Sequence, residues 1–456
     1  MSSQRQIVRS SAIIGGSTVI QVSIGLVKTK IAAVLLGPAG IGLIGIYQNI
    51  MMLASTLAGC GVSQSGVRQL AMSLDEPATL NLIRRTMWLA NLMLGIVGMI
   101  LLWTLRDSIS QWALGDIGYA DNVGWLSCGV LISLMAGSQL GVLQGLRHIE
   151  DLAKITVISA IIGCVVGVTA LYLIGEASIL WIVLSPPAIS CLVTSYYTPR
   201  LLRSKAKHDR QQIHKQWQAM FKLGLPIMFA ALLPVITQLL VRSMVVNKIG
   251  IEASGYFQAA WVISVSYIGL VLGAMGSDYF PRLSGVIKNR KNARRLVNDQ
   301  AEITLLLASP ILLGMITFSP WIINLLYTES FAPSSRILQW QVLGDILKVS
   351  GFPMGFIVLA LGRGGIFIVT QLTWCVMYLG AISLGITNYG LIMTGVGFFI
   401  AYVVQYLLIT IVAFKLIGFR LDRRNIFFTL VQLFLSGTIL FFSYQSLVAG
   451  LLAGIL

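Results

Sequence analysis

Long apolar runs, separated by short polar stretches, occupy most of this 456-residue chain. Thirteen runs are distinct, and each has the roughly 20 residues that a helix needs to cross the hydrocarbon core of a bilayer. Membrane-spanning strands would be shorter and would alternate apolar with polar residues, so the runs predict helices. The chain is therefore predicted to be an all-α, polytopic membrane protein. The runs lie near 10–36, 41–66, 86–105, 123–146, 155–175, 177–199, 222–246, 254–277, 300–326, 336–361, 365–386, 390–415 and 426–447.

The composition agrees with a membrane protein and argues against a soluble one. Hydrophobic residues make up 56% of the chain and charged residues 11%, whereas about 25% of a typical soluble domain is charged. The five cysteines lie in or beside the apolar runs without paired spacing, which predicts neither disulfides nor a metal site. The sequence shows no paired carboxylates at membrane depth, no phosphate-binding glycine loop and no nucleophile motif. We therefore expect no enzyme activity, no cofactor and no bound metal.

The distribution of positive charge along the chain predicts the membrane topology. The net charge is +16, and Lys and Arg residues cluster in every second polar stretch, whereas the other stretches carry mainly acids. Cytoplasmic loops of inner membrane proteins have this excess of Lys and Arg. The pattern predicts an inner membrane protein with a cytoplasmic N-terminus and argues against a nucleic acid as partner. We expect the basic stretches at 200–222 and 282–299 to contact anionic membrane lipids.

A basic polar stretch separates two halves that resemble each other. Lys28 in the first half and Arg242 in the second each follow a Leu-Val pair and precede a glycine-bearing turn. Many transporters repeat an even number of helices, with the substrate site between the repeats. We predict two six-helix lobes in a pseudo-twofold arrangement plus one extra C-terminal helix. The predicted limits are 1–200 for the first lobe, 201–222 for a linker, 223–416 for the second lobe and 417–456 for the additional transmembrane segment.

Five charged residues lie well inside the apolar runs and are the candidate binding residues: Lys28, Lys30, Arg242, Asp345 and Lys348. A lysine at the centre of a membrane helix costs about 2.5–3.5 kcal/mol, so such residues are rarely without a function. Asp345 and Lys348 are spaced i, i+3 and can pair on one helix face. The other three cations have no obvious acidic partner in the sequence. A water-filled cavity that holds an anion such as a pyrophosphate would stabilise them.

The two lysines of the first run cannot act as a simple pair. Residues two apart on a regular helix point about 200° away from each other. Lys28 and Lys30 can face one cavity only if the helix bends, for which Gly25 is a candidate, or if one side chain reaches around. The alternative is that the side chains extend to the membrane interface. A tight turn is predicted over residues 37–40, between the first and second runs.

Two stretches carry a family resemblance: LLGPAGIGL at 35–43 and QWQVLGDILKV at 339–349. They resemble the helix 1–2 and helix 10 segments of Wzx-type polysaccharide and O-antigen flippases, and the second is most similar to the enterobacterial common antigen member. The resemblance implies the multidrug/oligosaccharidyl-lipid/polysaccharide exporter superfamily, whose two six-helix lobes give alternating access to the two sides of the membrane. It implies a bacterial undecaprenyl-pyrophosphate-linked oligosaccharide as cargo, moved from the cytoplasmic to the periplasmic leaflet. A polysaccharide polymerase and a chain-length regulator are implied partners.

Within this resemblance, Lys28, Lys30 and Arg242 would hold the pyrophosphate, and Lys348 with Asp345 would line the second lobe. Two features depart from the family pattern. A further hydrophobic stretch follows the twelfth predicted helix, and the first helix lacks the acidic residue that resembles the cation site of drug-exporting relatives.

Two other functions stay open at this point. A drug/cation antiporter would need a membrane acid that binds a cation, and Asp345 is the one available, so coupling to an ion is also open. A membrane glycosyltransferase or polymerase should carry catalytic groups in a large periplasmic loop. The predicted outer loops are short, which argues against this second alternative.

Overall fold

A computed structural model of the protein describes residues 3–74, 76–198, 210–445 and 454, and these residues are almost entirely helical, with no β-strand among them. The predicted all-α class is therefore confirmed. The α-helices are α1 (Ser3–Gly59), α2 (Val62–Met72), α3 (Pro77–Thr104), α4 (Arg106–Leu114), α5 (Ala120–Gly145), α6 (Ile149–Ile174), α7 (Ile179–Tyr197), α8 (Arg210–Lys248), α9 (Ile251–Val286), α10 (Arg290–Thr317), α11 (Ser319–Leu326), α12 (Pro333–Ala360), α13 (Gly364–Tyr389), α14 (Met393–Ile417) and α15 (Arg423–Gln445).

Nine helical segments within the described residues are long and apolar enough to cross a membrane. Three of these segments each overlap two of the predicted apolar runs: Gly15–Gly59, Ile149–Tyr197 and Gly364–Ile417. The run at 254–277 lies in α9, and every other predicted run also overlaps a helix. The prediction of a polytopic helical membrane protein is confirmed.

α1 is divided by a break at Gly37. Gly37 has φ +62° and ψ −167°, a backbone conformation that is essentially restricted to glycine. The helix resumes at Pro38, where the N–H that proline lacks would have no helical partner. The turn predicted over residues 37–40 is thus a one-residue break. The helix does not break at Gly25, because Gly37 is the one non-helical position within the described span of α1.

The chain divides into two compact units, Met1–Asn247 and Lys248–Leu456. In the first unit α1 packs on α6, α6 on α7, and α3 on α5. α8 is fixed to this unit at two points. A side chain at Gly61 would collide with the carbonyl of Gly224, so glycine allows α8 to approach the start of α2. Ser243 and Asn247 both donate hydrogen bonds to the carbonyl oxygen of Trp112, at 2.8 and 3.1 Å.

α12 is the central helix of the second unit, and α9, α10, α14 and α15 pack around it. Every residue from 341 to 347 is buried. Because seven consecutive residues make about two helical turns, this helix is buried on all sides. A helix that is buried on all sides must place any charge it carries among other protein groups.

α15, the described part of the additional segment predicted at 417–456, packs on α10 and α12. Asn425 Nδ2 donates a hydrogen bond to the carbonyl oxygen of Asn298 at 3.0 Å, and Ser309 Oγ donates one to Gln432 Oε1 at 2.7 Å. Hydrogen bonds between helices are a main source of association in a bilayer, where lipid tails are as apolar as the helices. α15 is therefore an integral helix of the second unit.

The predicted lobe limits stay predictions. Of the predicted linker at 201–222, residues 201–209 lie outside the described residues and residues 210–222 form the start of α8. The compact units divide after Asn247, so α8 is grouped with the first unit. At the end of the predicted additional segment, residues 446–453, 455 and 456 also lie outside the described residues.

Replacing Gly37 with Ala is expected to destabilise the protein, whereas replacing Gly25 with Ala is not. A Cβ would meet nothing within 4 Å at either position, so the backbone conformation alone distinguishes them. Alanine at position 37 would have to adopt a conformation that costs about 1–3 kcal/mol. Alanine at position 25 is favoured over glycine in a helix by roughly 0.5–1 kcal/mol.

The measurement is the midpoint of thermal unfolding in detergent, monitored as the loss of the monodisperse size-exclusion peak with temperature. The midpoint should fall for Gly37→Ala and stay constant or rise for Gly25→Ala. Equal midpoints for the two variants would show that Gly37 is not needed for the break.

Candidate functional site

Lys28 lies where α1, α6 and α7 of the first unit meet. Its Nζ donates a hydrogen bond to the carbonyl oxygen of Ile182 at 2.9 Å. The side chain passes over Gly167 of α6, where a Cβ would come within 3.2 Å of Lys28 Cε. Ile182 precedes Pro186 by four residues, and a proline has no N–H to donate to that carbonyl. The Lys28 amine takes the place of the missing donor. A contact between Lys28 and a pyrophosphate stays a prediction.

Lys30 is half-buried on the same helical segment as Lys28. α1 is regular through both positions, since its one break is at Gly37 within the described residues. A spacing of two therefore directs Lys30 to a different side of the helix from Lys28. The structure does not make these two lysines a joint site, and a role for Lys30 in binding stays a prediction.

Arg242 is almost fully buried on α8, with 2% of its surface exposed. The neighbouring residues Ser243 and Asn247 donate hydrogen bonds to the Trp112 carbonyl. These bonds hold the part of α8 that carries Arg242 in place. A guanidinium has five donors in a planar array that matches two phosphate oxygens at once. Arg242 thus has chemistry suited to a pyrophosphate, and this role stays a prediction.

The predicted pair of Asp345 and Lys348 is present in the second unit. Lys348 Nζ lies 3.9 Å from Asp345 Oδ1, and Ser264 Oγ donates a hydrogen bond to Asp345 Oδ2 at 2.6 Å. Lys348 Nζ also lies 5.7 Å from the centre of the Tyr402 ring. A buried carboxylate needs a counter-ion and hydrogen-bond donors, and Asp345, with 0% of its surface exposed, has one of each.

An aromatic cluster lies beside this ion pair. Its rings contact one another with centroids 4.7 to 6.3 Å apart, and its members are Trp261, Trp374, Tyr378, Phe398 and Tyr402. Gly344 precedes Asp345 and allows the cluster to approach α12, because a Cβ there would lie 2.6 Å from Phe398 Cδ1. The pair is therefore held among rings, and α12 supplies both its charges.

A cavity of about 430 Å³ lies among α1, α2, α5 and α8 of the first unit. Its size falls in the range of about 300–1,000 Å³ that is usual for sites that bind small molecules. Hydroxyl and amide groups of its wall can both donate and accept hydrogen bonds, as a sugar requires. These groups belong to Ser55, Thr56, Ser63, Gln64 and Ser133, and the rest of the wall consists of methionines, other aliphatic side chains and glycines.

The sequence predicted the buried charges but missed their neutral partners. Ser264 and Asp345 are 81 positions apart, and Lys28 and Ile182 are 154 positions apart. Pro186 did signal that the Ile182 carbonyl lacks its helical donor, since helical hydrogen bonds join residues four apart. The identity of the replacing donor depends on how α1 packs against α7, for which the sequence carries no local signal.

Comparisons with known proteins agree with this architecture. A family model described as "Polysaccharide biosynthesis protein" matches residues 31–336. The chain is 25% identical over 373 residues to the lipid III flippase of Escherichia coli strain K12, covering 75% of this chain and 83% of that protein.

Two solved structures share the fold. The lipid II flippase MurJ in an inward closed conformation superposes with a TM-score of 0.73 at 15% identity, covering 97% of this chain and 96% of that chain. An inward-facing MATE family multidrug transporter of the MOP superfamily superposes with a TM-score of 0.68 at 17% identity, covering 88% of this chain and 98% of that chain. At these identities the structural likeness shows the fold alone.

The named relatives and neighbours are transporters, which confirms the expectation of a transporter rather than an enzyme and the resemblance to Wzx-type flippases. The family model covers well over half of the chain, from the middle of α1 to the start of α12. On this evidence the chain belongs to the polysaccharide biosynthesis protein family.

Proposed function

We propose that this protein flips an undecaprenyl-pyrophosphate-linked oligosaccharide across the bacterial inner membrane by alternating access. The cargo would be the repeat unit of an O-antigen or a related polysaccharide, moved from the cytoplasmic to the periplasmic leaflet. Membership of the polysaccharide biosynthesis family and similarity to a protein named lipid III flippase support the proposal. The observation that carries it is the surplus of positive charge inside α1 and α8 of the first unit, where Lys28, Lys30 and Arg242 lie.

Arg242 is the residue that we assign to the pyrophosphate. A pyrophosphate is a compact anion whose oxygens accept several hydrogen bonds, and a guanidinium is the side chain that supplies them in pairs. The 2% exposure of Arg242 places the guanidinium in a region of low dielectric, where such contacts are stronger than in water. Lys30 would add positive charge in the same unit. Lys28 could do so only by giving up its bond to the Ile182 carbonyl.

The hydroxyl-lined cavity of the first unit is the proposed place for part of the glycan. Its wall of neutral hydroxyl, amide, thioether and aliphatic groups can bind sugar hydroxyls and the apolar faces of sugar rings without favouring one charge state. The polyprenyl tail would remain in lipid. Lys348, whose side chain is 27% exposed, would line the second lobe with Asp345 as its buried partner. The N-terminus would be cytoplasmic, and a polymerase with its chain-length regulator would receive the cargo.

A drug/cation antiporter is the main competing function, because a multidrug transporter shares the fold. Such an antiporter needs a carboxylate that is free to bind the cation. Asp345 already pairs with the Lys348 ammonium at 3.9 Å and accepts a hydrogen bond from the Ser264 hydroxyl. This arrangement favours a structural ion pair over a cation site.

Arg242→Ala is expected to reduce export of the lipid-linked oligosaccharide at least tenfold, because a hydrogen bond to a charged group contributes about 1.5–3 kcal/mol. Arg242→Lys should keep part of the activity, since it retains the charge and loses the paired donors. The measurement is lipid extraction from cells that carry the variant as their only copy. Polyprenyl-linked oligosaccharide should accumulate there in a form that is not accessible to periplasmic enzymes.

Arg295→Ala is the matched control, because it removes the same charge from a side chain that is 86% exposed on α10. It should leave export unchanged. All variants are compared at equal amounts in the membrane. Full export by Arg242→Ala would overturn the assignment of this residue, and undisturbed lipid pools in a null strain would overturn the proposed function.

The ion pair of the second unit provides a test between a flippase with a structural pair and an antiporter. Asp345→Asn alone should lower the free energy of unfolding by roughly 1–3 kcal/mol. Breaking a fully buried ion pair costs about 3–5 kcal/mol, and the loss here is smaller because 27% of the Lys348 side chain is exposed. The double variant Asp345→Asn/Lys348→Gln leaves no uncompensated charge and should regain both stability and export. A double variant that is stable but does not export would favour cation binding by Asp345.

A further inference from the structure

We infer that Lys28 is a positioning residue: its ammonium supplies the hydrogen-bond donor that Pro186 removes from α7, and so holds α1 against the proline pair of that helix. This role goes beyond the proposed flipping activity. It is stated in terms of the protein's own backbone and does not depend on the identity of the cargo.

The two prolines of α7 remove backbone hydrogen bonds from that helix. α7 continues as a helix through Pro186 and Pro187. In a regular helix the N–H of residue 186 would donate to the carbonyl of Ile182, and the proline nitrogen carries no hydrogen. Ile182 is 3% exposed and lies in a membrane-length segment, where water is not available as a substitute. Its carbonyl therefore needs a donor from another helix.

Lys28 provides that donor. The distance of 2.9 Å between Nζ and the Ile182 oxygen is that of a well-formed hydrogen bond. An ionised donor makes a bond roughly twice as strong as a neutral one, which suits a carbonyl that has lost its helical partner. The amine is thereby committed to the backbone of α7, so an anion could use it only by displacing the carbonyl.

α6 has a surface that fits this arrangement. Gly163 and Gly167 are one helical turn apart and both are buried. A Cβ at Gly167 would lie 3.2 Å from Lys28 Cε, and a Cβ at Gly163 would lie 3.7 Å from Pro186 Cα. Small residues at i, i+4 let membrane helices approach closely. The same face of α6 thus accommodates both Lys28 and Pro186, the proline whose missing N–H the lysine replaces.

The adjacent proline supplies an internal control. Pro187 removes a donor from the carbonyl of Val183, one residue along, and Lys28 bonds to Ile182. Restoring an N–H at position 186 should make Lys28 dispensable, whereas restoring one at position 187 should not. If Lys28 only contacted the cargo, the two neighbouring proline substitutions would not differ in this way.

The experiment uses the full chain and compares Lys28→Met, Pro186→Ala, Pro187→Ala and the two double variants that contain Lys28→Met. Methionine keeps the length of the side chain and removes the donor. Each variant is measured for its thermal midpoint in detergent and for export at equal membrane amounts. Stability is measured alongside export so that the rescue is visible even where a proline variant itself lowers export.

Lys28→Met should lower the thermal midpoint and reduce export by about tenfold, as expected for a buried acceptor left without a donor. Lys28→Met/Pro186→Ala should return to the level of Pro186→Ala in both measurements. Lys28→Met/Pro187→Ala should stay below Pro187→Ala by the same factor as Lys28→Met stays below the wild type.

Three results would overturn the inference. They are a Lys28→Met variant as stable as the wild type, an equal defect with and without Pro186→Ala, and equal rescue by the two proline substitutions. A double variant with Pro186→Ala that is stable but does not export would make Lys28 a cargo ligand instead. The Arg242 experiment is independent of all these variants, so the proposed function can stand or fall separately.

Discussion

In the hydrocarbon core of a bilayer, a backbone carbonyl finds a hydrogen-bond donor inside the protein or none at all. The fold meets this constraint in two ways. At Gly37 the chain leaves the helix for one residue, and the proline that follows takes a position where its missing N–H matters least. At Pro186 the helix continues, and the Lys28 amine replaces the missing donor across an interhelical contact. α1 takes part in both solutions, once by breaking and once by bonding to α7.

The two compact units treat buried charge differently. In the second unit, Asp345 and Lys348 neutralise each other on α12, and Ser264 satisfies the second carboxylate oxygen. In the first unit, the charges that lie well inside the apolar runs, Lys28, Lys30 and Arg242, are all positive. One of these, Lys28, is directed at the negative end of a carbonyl dipole, and another, Arg242, is deeply buried. An anion in the first unit would therefore gain more from the protein's field than one in the second unit.

Much of the fold followed from the sequence because apolar runs of membrane length have few alternatives to a helix. The i, i+3 spacing of Asp345 and Lys348 likewise fixed a contact, since both residues lie on one helix. Gly25, the candidate position for a bend in the first run, keeps helical dihedrals, because a glycine permits a break without requiring one. The unusual dihedrals lie at Gly37, directly before Pro38. The aromatic cluster, the hydroxyl-lined cavity and the partner of Lys28 depend on which helices become neighbours. Hydrophobic periodicity does not encode this when helices are apolar on most sides.

The polar contacts of α15 have a consequence for the order in which the protein is made. Asn298, Ser309 and Ser350 belong to α10 and α12, and their partners on α15 are Asn425, Gln432 and Thr429. During synthesis α10 and α12 enter the membrane before α15 exists, so these polar groups at first lack their partners on α15. The second unit can reach its final packing only after the ribosome has completed α15. Its maturation is thus tied to translation of the last described helix and cannot proceed helix by helix.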